Sequence, residues 1–261
     1  MKSFPTPDPF QLKFPNGHTA VAIQLHRSTT RSKIGPLLTQ LGLPMARPTL
    51  VVVGGASGIS EESFSQLRSL FTEVLAPVIQ SLDGVVIDGG TDAGVMKLMG
   101  EARQATASTF PLVGVAAIGT VILPQSCTLP SDENAPLEPH HTHFVLVPGG
   151  LWGDEAPWIA NVATALNVDA PSVTVLVNGG RIAWQDASNS VRVGRPVLVI
   201  AGSGRTADEL AAAVRGELSS DRATDLIDSG LIHIVDLSSD LLFVRSVVQS
   251  MLSHTHQPNA V

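Results

Sequence analysis

The chain has 261 residues, 44% of them apolar and 15% charged, and carries a net charge of −7. That is enough for one large α/β domain whose strands are covered on both faces, and it excludes a disordered or extended chain. The acidic balance, with no Lys/Arg cluster, excludes a nucleic-acid backbone as the main partner, so any bound phosphate must be held locally.

Met1 to Gly17, with Pro5, Pro7, Pro9 and Pro15, reads as an irregular N-terminal arm before a single domain over residues 18–261. The arm lacks the apolar core of a signal peptide and no run of 18 apolar residues follows, which predicts a soluble cytoplasmic protein without membrane insertion. The one cysteine, Cys127, excludes an internal disulfide framework and fits a reducing compartment.

Thr19 to Leu25 is the first predicted strand, Ile34 to Leu41 a short helix, and Thr49 to Val53 a second strand. Ser60 caps a long helix with Glu61 and Glu62 in its first turn, which Pro77 kinks or splits. Val85 to Ile87 is a strand, Met96, Met99 and Ala102 belong to the next helix, and Leu112 to Ile118 is a strand again. Gln125 to Pro139, acidic and proline-rich, is read as an inserted surface loop and mobile lid. After it come strand His143 to Val147, helix Glu155 to Leu166, and strands Val173 to Val177 and Val197 to Ile200. Thr206 and Glu209 stand at capping-box spacing at the start of a helix, and Leu231 to Val235 and Asp240 to Leu252 close the chain. The alternation predicts a mostly parallel, doubly wound α/β sheet of about seven or eight strands with helices on both faces.

Five predicted strands end in glycine: at Gly54-Gly55-Ala56-Ser57, Gly89-Gly90-Thr91, Gly149-Gly150, Gly179-Gly180 and Gly202-Ser203-Gly204-Arg205. Such turns gather at the carboxyl edge of an open sheet and free helix N-termini to hold an anion. Arg205 beside a helix start suits phosphate oxygens, although a surface ion pair fits the same spacing. The first turn is not GxGxxG, and Asp88 lies more than 30 residues beyond it, which speaks against a nicotinamide dehydrogenase. A P-loop and a GxSxG elbow are both absent. His140, His141 and His143 lack spaced metal-ligand partners and are read as introducing a strand, so no metal is expected. Trp152 and Trp184 either stack a purine or fill the core. Asp88, Thr91 and Asp92 either hold ribose hydroxyls or, for Thr91 and Asp92, cap the following helix.

Gly89 to Ala102 (GGTDAGVMKLMGEA), His141 to Gly150 (HTHFVLVPGG) and Pro196 to Leu210 (PVLVIAGSGRTADEL) together resemble the SLOG superfamily. The similarity is to the branch shared by the N-terminal region of TRPM channels and its free-standing prokaryotic relatives (LSDAT), distantly related to LOG- and DprA-type Rossmann proteins. This resemblance implies a Rossmann-like fold that binds an ADP-ribose-like or other NAD-derived nucleotide ligand and requires no cofactor. Carried over by motif, Gly54, Gly55, Gly89, Gly90, Thr91, Gly202, Ser203, Gly204 and Arg205 line the site, with Ala56, Ser57, Gly149 and Gly150 in adjoining turns. The channel relatives have a tyrosine and basic residues after the block equivalent to Val147–Gly150. Here Leu151-Trp152-Gly153-Asp154-Glu155 stands instead, which points to Trp152 and Glu155 as holding base and terminal ribose. The LOG-type phosphoribohydrolases carry PGGxGTxxE, from which this chain keeps Pro148-Gly149-Gly150 with Glu155 one residue early.

The leading expectation is a sensor of a nucleotide-derived signal, with its effector in a separate protein and a homo-oligomer as one arrangement. The alternative is an N-glycosidase acting on NAD or a nucleotide, with Glu155 or Asp92 as the catalytic candidate.

Overall fold

The computed structural model describes residues 7–55, 59–218 and 220–253. Ala56 and Ser57, both expected in the site, fall outside these residues.

In chain order the strands are β1 (Phe10–Lys13), β2 (Thr19–Gln24), β3 (Thr49–Gly54), β4 (Val85–Asp88), β5 (Leu112–Ala117), β6 (Val121–Ile122), β7 (Ala135–Pro136), β8 (His143–Val147), β9 (Ser172–Val177), β10 (Val197–Ala201) and β11 (Ile232–Asp236). The helices are α1 (Arg31–Gln40), α2 (Glu61–Ser69), α3 (Ala76–Ser81), α4 (Gly94–Ala105), α5 (Ala156–Leu166), α6 (Arg181–Arg192), α7 (Arg205–Val214), α8 (Asp221–Asp228) and α9 (Leu241–Ser253). Nine strands form one sheet in the order β1-β2-β8-β5-β4-β3-β9-β10-β11. Every pairing in it is parallel except β1 with β2.

The central strands are continuous apolar runs because both of their faces are covered. In β3, Val51 and Val53 point to the core shared with α1, α5, α6 and α7, while Leu50 and Val52 point to the core shared with α3, α4 and α9. From β3 the chain steps to β4 and β5 on one side; after β8, α5 carries it to β9 on the other side, and β10 and β11 follow outward. The strand order therefore reverses between β3 and β9, and the helices leaving those two strands diverge to opposite faces. A crevice opens there, at the carboxyl ends.

The local signals explain most boundaries. Ser60 caps α2, its hydroxyl accepting from the Ser63 amide. Pro77 sits in the first turn of α3, and a π-helical turn at Leu70–Leu75 just before it absorbs the break instead of a sharp kink. Thr206 and Glu209 form no capping box, because Gly204, at φ +105°, starts α7 two residues earlier than expected. The Thr206 hydroxyl instead donates to the Gly180 carbonyl.

Two expectations about irregular segments are corrected. Within the N-terminal arm, Phe10–Lys13 is an edge strand with Leu12 buried, because Leu12 and Phe14 have an uncovered part of the sheet to pack on. The far end of the expected lid is fixed too: β7 pairs with β6, and Leu137 and Glu138 are buried. Leu12, Phe14 and Leu137 cover Ala116, Phe144 and Leu146 in a cluster that contains no α-helical residue. That segment does a helix's work on this part of the sheet, and the exposed stretch is residues 125–133. Among the described residues no helix is long and apolar enough to cross a membrane.

Candidate ligand-binding site

A cavity of ≈370 Å³ lies in the crevice where the strand order reverses. Of the residues expected from the sequence, it is lined by Gly54, Gly89, Thr91, Trp152, Glu155 and Arg205. Gly54 is required there: its φ is +128°, and a Cβ would stand 1.8 Å from the Val177 carbonyl oxygen. Trp152 stands at the mouth, and its indole N–H donates to the Asp132 carbonyl, joining the exposed loop to the cavity rim.

The remaining expected residues are not brought to the cavity. Gly55 donates to the Val177 carbonyl. Gly90 is pressed against the backbone of Gly114, which a Cβ would meet at 2.8 Å. Gly149 and Gly150 lie under Asp154, whose carboxylate accepts from the Gly150 and Leu151 amides at 2.9 and 3.1 Å. The Gly202 amide is taken by Asp208 at 2.6 Å. Ser203 is buried and staples two turns, its hydroxyl donating to the Ile200 carbonyl and accepting from the Asn178 amide. Gly204 packs beside the Asn178 side chain. Asp92 pairs with Lys97 at 3.1 Å and lines a different hollow with Phe14 and Leu137. Neither Thr91 nor Asp92 caps α4, whose N-cap is Ala93. Trp184 is a core residue of the first face, and Cys127 is an exposed free thiol.

The glycine turns thus divide by what occupies their amides. Those after β4, β8 and β10 each receive a carboxylate from this chain: Asp88 on Gly90, Asp154 on Gly150, Asp208 on Gly202. The turn after β9 receives none on Gly179 or Gly180 from a described residue. Helix α6 begins at Gly180 with no side-chain cap and no acidic residue in its first turn, and Gly180, Arg181 and Ile182 line the cavity. The Arg205 guanidinium lies over this turn, 2.9 Å from where a Cβ of Gly180 would stand, and makes no ion pair with a described residue. Uncapped amides, the positive end of a helix dipole and a guanidinium converge at one place. The sequence signalled this turn through Gly179-Gly180, but α6 itself carried no clear start signal.

A second feature absent from the sequence reading is Asp186, on α6, which lines the same cavity with Glu155. Burial, aided by the nearby Glu155 charge, pushes the Asp186 carboxyl up to about 8. Burial also raises Glu155, against the Glu155 and Gly153 amides that hold it down, and Asp154 adds to the rise. Both Glu155 oxygens accept from the Gly153 amide.

Beneath the β4 turn lies a buried charge network. His141 Nε2 contacts Asp88 Oδ1 at 2.8 Å, and Nδ1 contacts Glu138 Oε2 at 2.7 Å, all three being essentially inaccessible. Burial pulls the imidazole's affinity for protons down, but the Asp88 and Glu138 carboxylates outweigh it and hold the pKa at about 9. Glu138 is displaced below the usual carboxylate range: its own burial is overcome by His141 and His140. The histidine motif therefore builds the floor of the β4 turn. Among the described residues no group of His, Cys, Asp or Glu is placed to hold a metal ion.

The sequence that builds these turns is similar to that of known proteins. The family model described as "SLOG in TRPM, prokaryote" matches residues 47–242. The chain belongs to that family. It is also 28% identical over 224 residues to transient receptor potential cation channel subfamily M member 2 of Mus musculus, covering 72% of this chain and 15% of the channel. The Rattus norvegicus channel of the same name gives the same identity and coverage. A subfamily M member-like 2 protein of Nematostella vectensis is 24% identical over 247 residues, covering 81% of this chain and 16% of that protein. The chain thus spans about one sixth or less of these relatives. In this SLOG domain, the block from Gly89 to Ala102 owes its glycines mainly to packing: Gly90 against Gly114, and Gly100 against Glu138.

Proposed function

We propose that this SLOG domain binds a nucleotide-derived ligand of the ADP-ribose or NAD-derived class, with its phosphates on the N-terminus of α6 and on Arg205. The observation that carries this reading is the contrast among the glycine turns. Among the described turns, that of α6 faces the cavity with its amides uncapped and beside a guanidinium that makes no ion pair with a described residue. Gly54 and Gly89 let backbone approach the ligand from the sheet side, and Trp152 offers an aromatic face at the rim. Isothermal calorimetry with ADP-ribose tests it. Arg205→Ala should weaken binding about 10- to 100-fold, the worth of a charge-assisted contact, with an unchanged melting temperature. Unchanged affinity would remove the phosphate assignment.

A second reading, hydrolysis of an N-glycosidic bond, is favoured by the placement of Glu155 and Asp186 in one cavity, whereas Asp92 is excluded from it by position. Glu155 would stabilise an oxocarbenium-like ribose. It requires release of free base from NAD that disappears in Glu155→Gln; binding without turnover retires it.

A further inference from the structure

We propose that Asp186 reads the ligand. Its carboxyl O–H, on the oxygen that is not enclosed, donates to an acceptor on the ligand's planar base, the chemistry of a purine ring nitrogen or a carboxamide oxygen. The proposal rests on the nucleotide reading of the cavity and names the part of the ligand that α6 recognises beyond the phosphates.

Asp186 stands on the buried face of α6 with Ala183, Ala187 and Ser190, and only 8% of it is exposed. Its Oδ1 is fully enclosed and has no hydrogen-bond partner among the described residues, and no cation pairs with it. A carboxyl group so placed is costly to the free protein, and an alanine would pack there without that cost. Asp186 lines the cavity, so its other carboxyl oxygen is the one that a ligand there can reach. Five residues of helix separate it from Arg181, about 7.5 Å along the axis, so a ligand with phosphate at the helix start extends toward it.

The groups that face Asp186 decide its protonation. Glu155, at the start of α5, supplies a like charge; Arg181 and Arg205 line the same cavity without pairing to it; the sheet contributes Val52 and Ala116. Burial, with Glu155, holds the proton on Asp186 up to about pH 8. A carboxylic acid presents O–H and C=O side by side, whereas a carboxylate only accepts. With Oδ1 enclosed, the neutral form offers the ligand the O–H of its other oxygen, which N1 of adenine or the carboxamide oxygen of nicotinamide accepts. The ionised form would turn a lone pair toward the ligand's acceptor and lose both the bond and the match.

The experiment is calorimetry of the wild-type chain, Asp186→Asn and Asp186→Ala with ADP-ribose, NAD, ribose 5-phosphate and the ADP-ribose analogue lacking the 6-amino group. Asparagine keeps a donor beside an acceptor without titrating. At about pH 6.5, Asp186→Asn should bind ADP-ribose within about 3-fold of wild type, and Asp186→Ala about 10- to 100-fold more weakly. The analogue lacking the 6-amino group keeps N1, so it should still bind wild type more tightly than Asp186→Ala. Raising the pH to about 9 should weaken wild-type binding about 10-fold and leave Asp186→Asn unchanged. If the loss in Asp186→Ala appears with NAD and not with ADP-ribose, the edge being read is the carboxamide, and the proposal stands. It is overturned if Asp186→Ala, folded by its melting curve, binds both ligands as wild type does. It is also overturned if wild-type affinity rises above pH 8, the signature of a carboxylate gripping ribose hydroxyls. Should wild type bind none of the probes, ribose 5-phosphate included, the nucleotide reading itself falls.

Discussion

The turn after β4 and the turn after β9 are written alike, an apolar strand, two glycines and a helix, yet one is closed and the other open. At the β4 turn, Asp88 accepts from the Gly90 amide at 2.7 Å and holds His141, which holds Glu138. At the β9 turn no acid among the described residues intervenes, and the first residues of α6 face the cavity. A glycine turn marks a close approach of backbone to something. Whether that something is a ligand or the chain's own carboxylate depends on what packs around the turn, here Asp88, two residues before Gly90, which His141 and Glu138 hold from far away in sequence. The closed turn serves as a rigid floor; the open one is available to an anion.

The comparison is tested most severely by breaking the closed turn. His141→Ala leaves Asp88 and Glu138 buried without their cation, which should cost about 3–5 kcal/mol in urea unfolding. A loss below about 1 kcal/mol would mean that the network does not hold the turn. The wild type should report the same charge through pH. The His141 pKa is raised from 6.5 to about 9, so its contribution is complete below 6.5 and disappears as the pH rises through about 9. Glu138, displaced downward, acts at the other end: its contribution is present above the ordinary glutamate value and is lost as acid protonates it. Urea midpoints measured across this range should therefore decline on the alkaline side. The decline should be smaller in His141→Ala, which keeps the part that Asp186, raised to about 8, contributes as the pH rises toward that value.

The fold was legible because its signals are local. Apolar runs such as Val51 to Val53 and Val197 to Ile200 can only be doubly covered strands, and Ser60 caps its helix as its position indicates. Six of the expected site residues reach the cavity for the same reason: strand ends in an open sheet share one edge. Elsewhere local signals fell short. Asp92 and Gly202 carried as good a local pattern as Gly54, but a Lys97 partner and an Asp208 cap occupy them. Asp186 lay in a segment with no motif, and its role emerges only when α6 is packed against α5 and Glu155 approaches from another element. The edge strand at Phe10–Lys13 was hidden by its flanking prolines, because what makes it a strand is the pairing with β2.

A pair of glycines sharpens the comparison at smaller scale. Gly35 and Gly100 both lie inside helices, where alanine normally adds about 0.5–1 kcal/mol of stability by restricting the unfolded chain. At Gly35 the new Cβ would approach only the end of the Met45 side chain beyond its chain neighbours, at 4.0 Å. Pro36 follows, however, and disfavours helical backbone for a residue with a Cβ, so Gly35→Ala should change stability by less than about 1 kcal/mol. At Gly100 it would stand 2.2 Å from Glu138 Oε2. That carboxylate cannot step aside freely, since His140 and His141 hold it and it is 1% exposed. Gly100→Ala should therefore destabilise by about 1–3 kcal/mol, the usual cost of overpacking, despite its better helix propensity. Thermal melts should place Gly100→Ala well below Gly35→Ala. A stabilised Gly100→Ala would show that Glu138 is loosely held, and the β4 turn would then lose its claim to be the closed partner of the open turn at α6.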